Sequence, residues 1–221
     1  MKQIRIIIVL LAVVLFSSSV SAQLLGQMAP ASNLDAGASN IGSYLILAEH
    51  ATGVVGSYRY GFSSDIEGRA RLGFIDPDGG DMSVLVGADL KYLLWNARPA
   101  AQQSKDGYPF TFSLGTGFEY SKLGYAKYLG IYGAAIGSFP IRLQNGHSIE
   151  PYGRLSLRMQ RVSVDSYNFG GQSFGGGSDT KLKIGANIGA EFHVIDLTSF
   201  TAEIQIDDDF AFMFGIELFS F

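Results

Sequence analysis

The chain has 221 residues, with 16 Lys and Arg against 20 Asp and Glu, a formal net charge of −4 and no cysteine. Without a basic block nothing in it recruits nucleic acid, and without cysteine it builds no disulfide and no zinc or iron–sulfur site on thiolates. Glycine is abundant (28 residues), aromatics reach 13% and charged residues only 16%, well below the usual ~25%. That balance suits a sheet with one face toward lipid.

The first segment has the layout of a secretory signal peptide. Lys2 and Arg5 form a short positive region, Ile6 to Phe16 is unbroken apolar sequence, and Ser17 to Ala22 is a run of small residues ending Val20-Ser21-Ala22. A signal peptidase reads this order, and cleavage is expected after Ala22. The apolar run is too short for a membrane-spanning helix, which needs about 20 residues. Residues 23–41 are polar, small and proline-containing, and read as a periplasmic leader or a loose plug. Residues 42–221 form the remaining domain.

From there the apolar pattern has period two. A strand separates alternate side chains to opposite faces, whereas a helix does not. The clearest case is Ile66 to Phe74, where Ile66, Gly68, Ala70, Leu72 and Phe74 oppose Glu67, Arg69, Arg71 and Gly73. The device recurs at Val54–Phe62, Met82–Leu94, Phe110–Tyr120, Arg154–Gln160 and Leu182–Val194. Ser43–Glu49, Phe200–Ile206 and Phe210–Phe221 are further strands, and Lys127–Ile141, rich in Gly and Tyr, could face either way.

The tally is ten strands, with eight and twelve as the neighbouring even numbers. The fold class is therefore all-β, an antiparallel up-and-down transmembrane barrel in which an even count puts both termini on one side. Turn signals separate the strands at Ser63–Asp65, Asp76–Gly80, Gln144–His147 and Asp207–Asp209. Counting back from the C-terminus places the long loop Arg161–Thr180 outside the cell, and places Ser63–Asp65, Gln144–His147 and Ile195–Thr198 on the periplasmic side. Asn96–Tyr108 departs from the pattern as a long periplasmic loop. A soluble β-sandwich or lipocalin-like binder would also alternate. Strands of about 11–14 residues, beyond the usual ~5–6 and near the ~9–11 that cross a bilayer, favour the membrane. So do the rings near strand ends, at Tyr58, Tyr60, Phe62, Tyr92, Trp95 and Tyr120.

The last strand is aromatic and ends in Phe221, with Phe219 and Gly215 upstream. Here the chain resembles bacterial outer-membrane β-barrel proteins, whose final strand commonly ends in Phe. The resemblance implies a porin-like cell-envelope protein of a Gram-negative bacterium, with outer-membrane lipid as one partner. It also implies recognition of the strand ending at Phe221 by the barrel-assembly machinery. A monomer is expected. Glu217 shares parity with Phe219 and Phe221, while Phe212, Phe214, Ile216 and Leu218 carry the apolar face. A bulge near Leu218–Phe219 would reconcile the two.

The polar faces place Glu67, Arg69, Arg71, Asp89, Lys91, Glu119, Arg154, Arg158, Lys183, Glu191, His193 and Glu203 in the lumen. A narrow barrel has room for side chains and little else, so these read as an ion-pair network that fills it rather than as a selective pore. No catalytic, cofactor or metal residues are assigned. One alternative sets His50 beside Asp207–Asp209 at the outer rim, where ten-stranded omptin-type proteases place acid and His residues. His147 reads as a turn residue. The expected role is structural, a small conduit or a surface scaffold.

Overall fold

The computed structural model describes residues 28–49, 51–77, 82–97, 109–123, 126–143, 146–164, 167–169, 172–174, 176–195, 198–207 and 210–220. Thirteen strands appear among them: β1 (Ser39–Ala48), β2 (Ala51–Gly61), β3 (Ile66–Pro77), β4 (Ser83–Trp95), β5 (Thr111–Leu123), β6 (Ala126–Ser138), β7 (Ile141–Arg142), β8 (Ser148–Val164), β9 (Tyr167–Phe169), β10 (Gln172–Phe174), β11 (Gly177–Ile195), β12 (Thr198–Ile206) and β13 (Phe210–Ser220). Ten of them close an antiparallel ring in the order β1, β2, β3, β4, β5, β6, β8, β11, β12, β13, with β13 pairing back onto β1. The two-residue β7 is an extra strand on the start of β8, and β9–β10 form a separate small hairpin.

Closure removes the free edges that an open sheet would expose. It also sorts the two faces. Leu72, Phe74, Leu155, Ile188, Phe214 and Leu218 are all at least half exposed, while Arg59, Arg71, Lys91, Glu119, Glu191 and Glu217 are at most 2% exposed. A soluble sandwich would bury the first set and solvate the second. This molecule does the reverse, as a barrel with lipid outside requires.

Several boundaries differ from those read in the sequence. β1 begins at Ser39, ahead of the expected barrel start at residue 42, and β3 runs past Phe74 to Pro77. The expected loop Arg161–Thr180 is mostly extended chain, because β8 continues to Val164 and β11 starts at Gly177, the two pairing across that span. Ladder pairing carries the polar stretch Ser178–Lys181 into a strand that its composition did not announce. The expected bulge near Leu218–Phe219 is absent, since the β1–β13 register runs unbroken from Ala48↔Ala211 to Ser39↔Ser220. The register shifts fall instead at Leu93/Trp95 and His193/Ile195. In β6 the undecided face is settled by pairing: Gly130, Tyr132, Ala134, Ile136 and Ser138 are turned inward and buried.

Rings gather at the end of the barrel where β1 starts and β13 finishes. Trp95 lies 5.0 Å from Phe112 and 6.1 Å from Phe110, Phe110 lies 6.1 Å from Phe139, and Tyr60 lies 5.2 Å from Phe62. A cluster of aromatic rings at one end of the strands matches the girdle that such barrels place at the bilayer interface, with Trp95 and Tyr60 as its amphipathic members.

Candidate functional site in the barrel lumen

Cross-strand register sets up the lumen. Arg59 on β2 stands opposite Arg69 on β3, Glu67 opposite Lys91, and Arg69 opposite Asp89. Two arginines facing each other repel, and β13 supplies the charge that resolves this. Glu217 accepts from Arg59 at 2.6 Å, faces Arg69 at 3.6 Å, and also takes hydrogen bonds from Asn40 at 2.6 Å and from Tyr44. Arg59 in turn grips Glu67 through two bonds of 3.0 and 2.9 Å, and Lys91 lies 3.3 Å from the same carboxylate.

Further ion pairs line the rest of the wall. Arg71 reaches Asp89 at 3.2 Å and Glu119 at 3.3 Å and donates to the Tyr132 hydroxyl at 3.4 Å. Glu203 accepts from Arg154 at 3.0 Å, Asn187 at 2.7 Å and Tyr152 at 2.6 Å. Arg158 is bonded to Asp207, and His193 lies 3.4 Å from Glu191. The twelve residues assigned to the lumen from sequence thus split into clusters. Ten are buried in them, whereas Lys183 and His193 are only half-buried.

Three lumen tyrosines need glycine beside them. A Cβ on Gly215 would meet the Tyr44 ring at 2.3 Å, one on Gly189 the Tyr152 ring at 2.6 Å, and one on Gly117 the Tyr132 hydroxyl at 2.8 Å. The Tyr44 and Tyr152 rings therefore pass close over bare backbone, and all three tyrosines bring their hydroxyls to a charged partner.

The lumen also holds the chain's own segment before β1. It turns at Gly37, which has φ 82° and donates to the Gly61 carbonyl at 2.8 Å. From there it enters the barrel. The Leu34 amide donates to Glu67 at 2.9 Å, the Ser32 hydroxyl to Glu150 at 2.8 Å, and the Ala31 amide to Ser138 at 3.2 Å. Lys91 donates to the carbonyls of Pro30 at 3.0 Å and Ser32 at 2.6 Å, and Arg69 to that of Met28 at 3.1 Å. The Met28 side chain packs among Tyr44, Ile46, Val55, Ile75, Leu85 and Met213, an apolar patch on the inner wall.

Sequence reasoning missed Asn40, Tyr44, Tyr132, Glu150 and Tyr152 as lumen groups. Arg59 and Glu217 were missed too, although each carried a readable signal, a parity opposite to the apolar run of its strand. Asp207, assigned to an exposed turn, is instead drawn inside the mouth by Arg158. The other members of that rim proposal, His50, Asp208 and Asp209, lie outside the described residues, as does Phe221. Among the described residues no group of three or more His, Cys, Asp or Glu is placed to hold a metal ion.

No family model matches the chain, and no curated protein matches it. Among solved structures it is similar to the KdgM porin, over 82% of this chain and 99% of the porin, at 11% identity and TM-score 0.41. It is likewise similar to the N-terminal β-barrel domain of Pseudomonas aeruginosa OprF, over 85% of this chain and 100% of that one, at 11% identity and TM-score 0.39. The β domain of the Bordetella autotransporter BrkA is similar over 85% and 100%, at 13% identity and TM-score 0.42.

Proposed function

We propose that the chain is an outer-membrane β-barrel with a sealed lumen, a surface scaffold rather than an aqueous conduit. The observation that carries this reading is the content of the lumen. Ion pairs bridge the wall strands, and Met28–Leu34 occupies the space beside them, with Met28 and Ala31 at 0% exposure. Open aqueous channels belong to barrels of about 16–18 strands, and a ring near ten is narrow enough for side chains to fill. Membrane insertion is supported by the apolar outer face and the ring of aromatics at one end, and a barrel crossing a bilayer is of the outer-membrane type. The scaffold role is supported by the β8–β11 pairing, which continues well past the last pair of β11 with β12 (Ala186↔Ile206) to Gly177↔Val164. On its β12 side that hairpin stands beyond the rim, and on the other side β6 accompanies β8 to Ala126↔Val164, so one wall of the barrel is raised toward what lies outside.

Purified protein reconstituted in a planar bilayer tests the reading. Heat-shifted gel mobility verifies that the barrel is folded, and conductance is then expected to show no steady open level. A large, stable pore in the folded protein overturns the sealed lumen.

A further inference from the structure

The contacts of Met28–Leu34 have an unusual division of labour. The segment forms no strand with the wall. It is held through its main chain: its carbonyls go to Lys91 and Arg69, and its amides to Glu67 and Ser138. Side chains add less: the Ser32 hydroxyl bonds Glu150, the Asn33 amide reaches the Ser64 carbonyl at 3.5 Å, Met28 packs on the inner wall, and the Ala31 methyl sits against Tyr132, Ala134 and Ile136. The wall groups, meanwhile, have partners of their own. Glu67 keeps Arg59 at 2.9 Å and Lys91 at 3.3 Å, Arg69 keeps Glu217 at 3.6 Å, and Glu150 keeps Ser138 at 2.5 Å. Departure of the segment would strand no wall charge, and its freed amides and carbonyls would pass to water. Both arrangements keep the ion pairs of the wall, which favours two states of similar free energy.

Resting on the sealed-lumen reading, we propose that the lumen is a binding site for an extended polypeptide segment. Met28–Leu34 is its resident occupant, and release from Lys91 unseals the barrel. Lys91 is the latch because one ammonium takes two carbonyls of the segment, whereas Arg69 takes one. The ligand class follows from the same geometry: cations placed for the carbonyls of alternate residues and a carboxylate placed for an amide recognise an extended peptide backbone.

The absence of native cysteine allows a clean test in the full chain. Ser32→Cys serves as a reporter for a membrane-impermeant maleimide, with folding checked by heat-shifted mobility. In the parent reporter chain labelling is slow and the bilayer stays silent. Adding Lys91→Met is expected to speed labelling roughly a hundredfold, the factor that two lost bonds to a charged donor carry, and to produce channel openings. Ser138→Ala, which touches no ion pair, is the second variant should Lys91→Met fail to fold, and is expected to act in the same direction. A synthetic peptide spanning residues 28–38, added in excess to Ser138→Ala protein with Lys91 intact, is expected to raise labelling further by competing for the lumen. Unchanged labelling in the folded variants overturns the releasable segment. Faster labelling without conductance overturns its part in sealing, and indifference to the peptide overturns the polypeptide site. A steady large pore in the parent chain overturns instead the sealed lumen on which all of this rests.

Discussion

Glu217 is, with Glu67, one of the two hubs that hold the lumen together around Arg59. Arg59, Tyr44 and Asn40 all donate to Glu217, and Arg69 lies across from it. Removing one partner from a buried ion pair leaves a charge without compensation and costs about 3–5 kcal/mol, more than the pair is worth over an apolar replacement. Glu217→Ala is therefore expected to lower the urea stability of the folded barrel in lipid vesicles by about that amount. The loss arises because Arg59 and Arg69, cross-strand neighbours, then face each other without the carboxylate between them. A loss below about 1 kcal/mol would mean that the lumen is wet enough to screen the pair.

Among the elements, β3 shows most directly how one strand serves two solvents. Ala70 points outward and is exposed, while Arg69 and Arg71 on either side of it are buried at 4% and 2%. An arginine on the lipid face costs about 2–4 kcal/mol at the midplane. Ala70→Arg is expected to destabilise the barrel or block its assembly, whereas Ser113→Ala, which removes an inward hydroxyl from β5, leaves it folded. A soluble protein would also resist a charge at position 70 if that face were its core. A fluorescent label on Ala70→Cys, read with a quencher confined to the lipid tails, separates the two cases. Absence of quenching would mean that this face never meets hydrocarbon. The alternation of β3 was legible because its two faces differ so sharply in polarity. β6 was not, since Leu129, Ile131 and Gly133 oppose Gly130, Tyr132 and Ala134, and small and aromatic residues suit either side.

At the scale of the whole molecule, the even ring puts both described ends of the barrel, Ser39 and Ser220, side by side. The turn at Gly146 lies at that end, and Gly176, at the outer end of the β8–β11 pairing, lies at the other. An epitope inserted at Gly176 is expected to be labelled on intact cells and one at Gly146 only after the outer membrane is opened. Both sites have φ of 85°, outside regular strand pairing, so an insertion at either disturbs the ladder little. Labelling of Gly146 alone would invert the topology.

The sequence by itself determined the all-β class, the count of ten long strands and which face of most strands is polar. All three follow from a period of two, which most of the strands display within their own residues. Only the tertiary structure decided which charges meet. Glu217 pairs with Arg59 across 158 positions of chain, and Tyr152 with Glu203 across 51, because partners in a closed ring are set by register and curvature that no local pattern encodes. The same holds for Met28–Leu34. Its composition is that of a loop, and it is buried only because the closed barrel offers an interior in which carboxylates and cations can satisfy an unpaired main chain.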